Sequence, residues 1–252
     1  MQILKIGTVP YLNAVPLTEG LAERRDVQLV AEPPSRLAGL LEQGQLDVAM
    51  LPAVDYLQKT DSWPMACPYG ITADGPVQTV RIFAHRPLEQ VQEVFLDSES
   101  HCSVALTSVL FRHWLHRPAR LTVRRFDPAG ADVGDWLLIG DKAMTGIDRP
   151  FVCDLGQFWR DRTGLPFVFA LWVARDRASA ERAGPILAET AEANASRIDE
   201  LASKHAARHG FEVAAAHRYL GQTIRYRLGE RERAGLELFG RLHAASTGAQ
   251  VS

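Results

Sequence analysis

Apolar runs of strand length alternate with amphipathic helical patterns from the start of the chain. Ile3–Val9 leads into a helix from about Ala14, Val27–Val30 into a helix over Ser35–Gln43, and Leu46–Leu51 into a helix over Ala53–Lys59. This alternation predicts an α/β fold with a parallel sheet, because parallel neighbours need a crossover that a helix supplies. The first helix carries Pro16 in its opening turn, where a missing N–H costs nothing. The second reads with Ser35 as N-cap and Gly44 as its stop.

From Val77 an extended stretch, "VQTVRIFAH", enters a second α/β set: "EVFLDSESHCSVALTSVLFRHWL", Leu121–Arg125, "WLLIG" and a helix from Asp154 to Arg162. A second long apolar strand, "TGLPFVFALWVAR", follows, and after it the pattern shows only helices, about 179–209, 211–220 and 230–245. Those helices need a sheet to cover, and the simplest arrangement returns them to the first lobe. The expectation is lobe I from 1–79 with 174–252 and lobe II from 80–173, with a ligand cleft between the lobes and a hinge in the two crossing strands.

The partner class follows from charge. Formal net charge is −2, from 28 basic and 30 acidic side chains without a long basic run, which gives no electrostatic support to a nucleic-acid or anionic-membrane surface. A small-molecule partner is expected. No segment approaches the roughly 20 apolar residues of a membrane span, and "MQILKIG" does not read as a signal peptide, so a cytoplasmic protein is expected. Cys67, Cys102 and Cys153 are far apart and form no C-x-x-C pair, which argues against a disulfide framework or structural zinc.

Ligands of open parallel sheets bind beyond the carboxyl ends of the strands. By that rule Tyr11–Asn13, Pro52, Ser98–Ser103 and Gly140–Asp141 face the cleft. Asn13 is neutral and cannot act as a general base near pH 7, and an Asx turn at the strand-to-helix corner is the plain alternative. "DSESHCS" at a helix start offers hydroxyls and backbone N–H groups to a carboxylate or phosphate, or simple capping by Ser98 or Ser100. "GDK" at Gly140–Lys142 lacks the phosphate-loop frame, leaving Asp141 as an N-cap or as an acidic neighbour of the ligand. His113 with His116 and His205 with His209 could share helix faces, yet neither pair has a third ligand, and solvated histidines are the simpler reading. "GERERAGLELFG" reads as a core-facing helix through Leu236, Leu238 and Phe239. No motif presents three convergent ligands or a nucleotide fingerprint, so neither metal nor organic cofactor is expected.

Taken together, "IGTVPYLNAVPL", "LDVAMLPAVDYL", "DGPVQTVRIFAHRPL", "LDSESHCSVAL", "LLIGDKAM" and "DLGQFWRDRTGLPFVFALWVAR" resemble the chorismate dehydratases of the futalosine route to menaquinone. The likeness runs in order from residue 3 to about 175, and the later helices match only in type. It implies the two-lobed fold of type II periplasmic binding proteins and conversion of chorismate to 3-[(1-carboxyvinyl)oxy]benzoate by loss of water. The Asn of the family's "LN" motif is Asn13, implied to be an active-site residue, with Tyr11 beside it. Thr79 stands where the family has Ser after "GPV-x". The family's serine-rich turn falls on Ser98–Ser103, where Ser100 and Ser103 match while His101 replaces Arg and Cys102 replaces Thr. Tyr11, Thr79, Ser100, His101, Cys102, Ser103 and Asp141 are thus the candidate substrate-binding residues. Asn13 is expected to orient the ring hydroxyl or the enolpyruvyl group while the substrate's own side-chain carboxylate takes the proton. Three rivals stay open: the dihydroxynaphthoate synthase of the same pathway, which has a His where this chain has Gly140; a solute receptor, which needs a signal peptide; and a transcription-factor effector domain, which needs a helix-turn-helix.

Overall fold

The computed structural model describes residues 3–96, 101–127 and 133–247. In chain order the elements are β1 (Leu4–Thr8), α1 (Val15–Thr18), β2 (Val27–Ala31), α2 (Pro34–Glu42), β3 (Val48–Pro52), α3 (Ala53–Leu57), β4 (Met65–Ala73), β5 (Val80–Ala84), β6 (Glu93–Leu96), α4 (His101–Val109), β7 (Arg120–Val123), β8 (Asp135–Ile139), α5 (Asp141–Thr145), β9 (Phe151–Asp154), α6 (Leu155–Thr163), β10 (Phe167–Ala174), α7 (Arg177–Ala195), α8 (Ile198–His205), α9 (Val213–Arg218), β11 (Arg225–Arg227) and α10 (Glu230–Thr247). Contacts group them into two compact units. One holds the residues up to Ala73 together with Val168–Arg233, and the other holds Asp74–Phe167 together with the chain from Ala234. None of the helices among the described residues is long and apolar enough to cross a membrane.

The first unit is built on a six-stranded sheet in the order β11-β4-β10-β3-β1-β2. β1 runs parallel to β2 and β3, in agreement with the alternation of strand and helix, but β10 is antiparallel to β3. The sheet is therefore mixed rather than purely parallel, since β10 enters it from the far end instead of through a crossover helix. Ala174 N–H donates to Pro64 O at 2.9 Å, which sets β4 antiparallel to β10 and so parallel to β3. β4 and the short β11 are strands that the sequence pattern does not announce: β4 carries Pro68 and Gly70, and β11 has three residues between helices. Buried Asp47 accepts from Lys5 N–H at 2.9 Å and pairs with Arg175 at 3.0 Å, so one carboxylate ties β1 to the chain leaving β10.

Helix ends account for most of the other differences. α2 begins at Pro34 with Pro33 as its cap, and Ser35 lies inside it rather than capping it, whereas Gly44 ends it with φ +69 as expected. The long expected helix 179–209 is two helices broken at Ser196–Arg197. Asp176 caps α7 by accepting from Ser179 N–H at 2.7 Å. α7 lies close on β4 because Gly184 has no side chain; a Cβ there would sit 2.5 Å from Ala66 O.

Neither histidine pair is simply solvated. His205 Nε2 lies 3.1 Å from Glu19 Oε2, while His113 Nε2 is 2.9 Å from Leu242 O and 3.1 Å from Ser246 Oγ. Burial raises the Glu19 carboxyl, but the hydrogen bond from Lys204 and the charges of His205 and Lys204 outweigh it and hold the group below its usual value. The linkage sign follows. A carboxyl with a lowered folded pKa stabilises the fold above its unfolded pKa, near 4.5, and this contribution fades as pH falls through the folded value. Glu19→Gln should therefore melt below the parent at neutral pH, with the difference closing in strongly acidic buffer; melting curves across pH check this.

The second unit has a five-stranded sheet in the order β7-β6-β8-β5-β9. β6 is parallel to β7 and β8, and β5 is antiparallel to both β8 and β9. One side of its core centres on Trp159, fully buried, with Phe167 at 5.2 Å, Trp114 at 5.9 Å and Phe239 at 6.0 Å between ring centroids. Phe239 is the core-facing residue expected in "GLELFG", and its aromatic partners draw α10 from Ala234 onward to this unit rather than to the first.

Candidate functional site

In the first unit the carboxyl ends of β1, β3 and β4 lie along one edge of the sheet, a consequence of their parallel directions. Just beyond β1, Tyr11 is extended (φ −114, ψ 153) and opens a short 3-10 turn, Leu12–Ala14, that runs into α1 with Pro16 at its first turn. Leu12 and Ala14 are buried beneath, which fixes the turn and leaves Asn13 at its outer, half-buried position.

Asn13 does not close an Asx turn. Its Nδ2 donates across the unit to the hydroxyl of buried Tyr219 at 3.2 Å, and its Oδ1 is buried with no hydrogen-bond partner among the described residues. Thr8 Oγ1, on the last residue of β1, Thr72 Oγ1, near the end of β4, and the hydroxyl of Tyr226 are buried without partners in the same way. Tyr226 follows Arg225, which pairs with Thr72 across β11 and β4. A buried polar atom without a partner costs about 1–3 kcal/mol, so several along one sheet edge make that edge a candidate for a ligand site. Burial pushes the Tyr226 phenol well above its usual range, and nearby Tyr219 acts in the same direction, so this hydroxyl keeps its proton.

In the second unit two of the expected positions, Thr79 and Gly140, meet at one edge. Gly140 N–H donates to Thr79 O at 2.9 Å as β8 ends beside the start of β5. Thr79 is buried, and its hydroxyl lies 3.4 Å from Val77 O. The carboxyl end of β6, parallel to β8, points to the same edge, and α4 begins a few residues later. At the start of α4, His101 is exposed while Cys102 and Ser103 are buried. Ser98 and Ser100 lie outside the described residues. Asp141 opens α5 rather than capping it, since Gly140 occupies the cap position with φ +60, a backbone shape that favours glycine.

The organiser of this edge is Asp154, which the sequence reading takes only as a helix start. Its Oδ1 accepts from Val77, Gly156 and Gln157 N–H at 3.0, 3.0 and 3.1 Å, and its Oδ2 accepts from Gln78 N–H at 2.7 Å. One carboxylate thus caps α6 and holds the turn that delivers Thr79. That turn is strained: Gln78 has φ +64, a region costing an L-residue about 1–2 kcal/mol. Gly156 permits the approach, because a Cβ there would lie 2.5 Å from Gly75 O. The local signal was available, since Asp before a helix is a strong cap, but its reach back to Val77 and Gln78 was not.

Tyr219 and Tyr226 were also missed. Tyr219 is 206 residues from Asn13 and sits at the start of a π turn, Tyr219–Thr223, that continues α9, so no local pattern links the two. The described residues contain no cluster of three or more His, Cys, Asp or Glu arranged to hold a metal ion. None of the three cysteines forms a disulfide, and burial pushes the Cys67 thiol up to about 12, which removes it as a nucleophile near neutrality.

Solved structures with the same fold include AF1704 from Archaeoglobus fulgidus (TM-score 0.78, 15% identity, 97% of each chain). The periplasmic aliphatic sulphonate binding protein SsuA from Escherichia coli aligns with a TM-score of 0.64 and 14% identity, over 99% of this chain and 94% of that one. Candida albicans CA3427, described as having the generic periplasmic binding protein fold, aligns with a TM-score of 0.56 and 11% identity, over 100% of this chain and 96% of that one. At these identities the likeness is one of fold, and it establishes the periplasmic-binding-protein-like α/β class. A chorismate dehydratase of Thermus thermophilus is 29% identical over 254 aligned residues, covering 93% of both chains. The menaquinone biosynthesis family matches residues 4–245, nearly the whole chain, and this protein belongs to that family.

Proposed function

We propose that the protein is a chorismate dehydratase, a hydro-lyase that removes water from chorismate to give 3-[(1-carboxyvinyl)oxy]benzoate. Membership of the menaquinone biosynthesis family and the Thermus thermophilus relative supply the substrate. The structural observation that carries the reading is the buried, unpartnered Oδ1 of Asn13 at the carboxyl edge of the first sheet. A neutral amide cannot take a proton at pH 7, but it can hold a reacting group in place, and positioning alone can supply several kcal/mol of barrier lowering.

The chemistry asks little of the protein. The ring loses its hydroxyl and the neighbouring C–H proton; the C–H electron pair becomes ring π density, the C–O bond breaks, and proton and hydroxide leave as water. Aromatisation drives the step, and the substrate's side-chain carboxylate is the base. In the second unit the start of α4, with buried Ser103 and Cys102, and the Thr79 turn held by Asp154 are the proposed carboxylate-binding elements. The positive end of a helix dipole favours an anion. Tyr11, His101, Ser100 and Asp141 complete the proposed binding set.

The dihydroxynaphthoate synthase alternative requires an imidazole base at the position of Gly140, and the φ of +60 there suits glycine. Incubation of the purified chain with chorismate, followed through the ultraviolet spectrum of the aromatic product, tests the proposal. The expected result is conversion without added cofactor; neither turnover nor binding of chorismate would remove the reading.

A further inference from the structure

Resting on that reading, we infer that Tyr219 is a positioning residue for the dehydration, holding the Asn13 amide so that its oxygen receives the ring hydroxyl of the substrate. An amide has a donating and an accepting end. Here the donating end is taken by Tyr219 at 3.2 Å, and the accepting end is buried with no hydrogen-bond partner among the described residues. What Asn13 offers a ligand is therefore an acceptor. In the chorismate dianion the enolpyruvyl ether and both carboxylates can only accept hydrogen bonds, and the ring hydroxyl is the sole O–H donor. The geometry thus selects the ring hydroxyl over the enolpyruvyl group as the partner of Asn13. It orients the C–O bond that breaks, without acting as acid or base.

Tyr219 is suited to this task. It is buried, and Phe211 stacks on its ring at 5.6 Å with planes 23° apart, packing that restricts the phenol. It opens the π turn Tyr219–Thr223, an irregularity of the kind that recurs at functional sites. The turn bearing Asn13 and this π turn pack against each other within one unit, which makes the hydrogen bond part of a fixed frame.

The test compares the parent, Tyr219→Phe, Asn13→Ala and the double variant in steady-state turnover of chorismate, with melting curves alongside. Tyr219→Phe should lower kcat about tenfold with KM within about twofold, the pattern of an interaction felt in the transition state. The double variant should be no slower than Asn13→Ala, because Tyr219 acts through Asn13. The product lacks the ring hydroxyl and should bind all four proteins alike, which also shows that the variants are folded. Parental turnover in Tyr219→Phe, a full tenfold further loss in the Asn13→Ala background, or product binding that falls in step with turnover would each overturn the inference. A parent that does not dehydrate chorismate overturns both this inference and the proposed function, whereas an active parent with an unaffected Tyr219→Phe overturns this inference alone.

Discussion

Asn13→Ala is expected to reduce kcat for chorismate by about 100-fold or more while KM moves by only a few-fold, since misplacement of a reacting group by about 1 Å can cost that much. The fold should survive. Asn13 is half-buried and contributes one side-chain hydrogen bond, to Tyr219, so its removal should lower the melting temperature by only a few degrees. Asn13→Asp separates catalysis from shaping of the turn. It keeps the size and turn-forming ability of the residue, but it exchanges the donor that engages Tyr219 for negative charge beside a substrate that is itself a dianion. An Asp variant with near-parental turnover would sink the assignment; loss of turnover with stability intact in both variants is the expected result.

Asp154→Ala should have the largest effect on stability. It removes the acceptor for four backbone N–H groups, two at the start of α6 and two in the Val77–Gln78 turn, and leaves Gln78 in a strained conformation without its hydrogen bond. A lost cap costs about 0.5–2 kcal/mol, and hydrogen bonds to a charged acceptor are worth about 1.5–3 kcal/mol each, so a total near 3 kcal/mol is a conservative estimate. For a chain of this size that lowers the melting temperature by roughly 6–12 °C. Asp154→Asn should fall between parent and Ala, because its remaining oxygen can serve one side of the network while its NH2 faces a donor. The Thr79 turn would loosen as well, and KM for chorismate should rise more than kcat falls, the reverse of the Asn13 pattern. Thermal melting and steady-state kinetics on the two variants decide the matter; an Asp154→Ala protein as stable as the parent would refute the role given to this carboxylate.

The two networks were unequally legible in the sequence. Asn13 was marked by its place: a strand ending at Val9, Pro16 in the following helix and a polar residue between them is a local pattern. Asp154 was legible as a cap, because capping depends on the next three residues, but its grip on Val77 and Gln78 crosses 76 to 77 residues of chain. Tyr219 falls near the end of the helix expected over 211–220. Nothing nearby distinguishes a buried tyrosine that packs from one whose hydroxyl orients an amide on a distant turn.

The alternation of apolar strands and amphipathic helices determined the α/β class, the division of the chain into two sets of strands and the edge to which the strand ends point, because hydrophobic periodicity and turn chemistry act over a few residues. Strand direction was decided otherwise. β10 and β5 run antiparallel to neighbours that the alternation alone would make parallel, since direction depends on where the chain re-enters a sheet and not on the strand's own residues. The tertiary structure also decided which end of the Asn13 amide is engaged, which backbone groups Asp154 satisfies, and that α10 follows its aromatic partners Trp159 and Phe167 rather than the first sheet. Each of these is a contact between residues far apart in the chain, set by the packing of whole elements, and a local pattern carries no record of it.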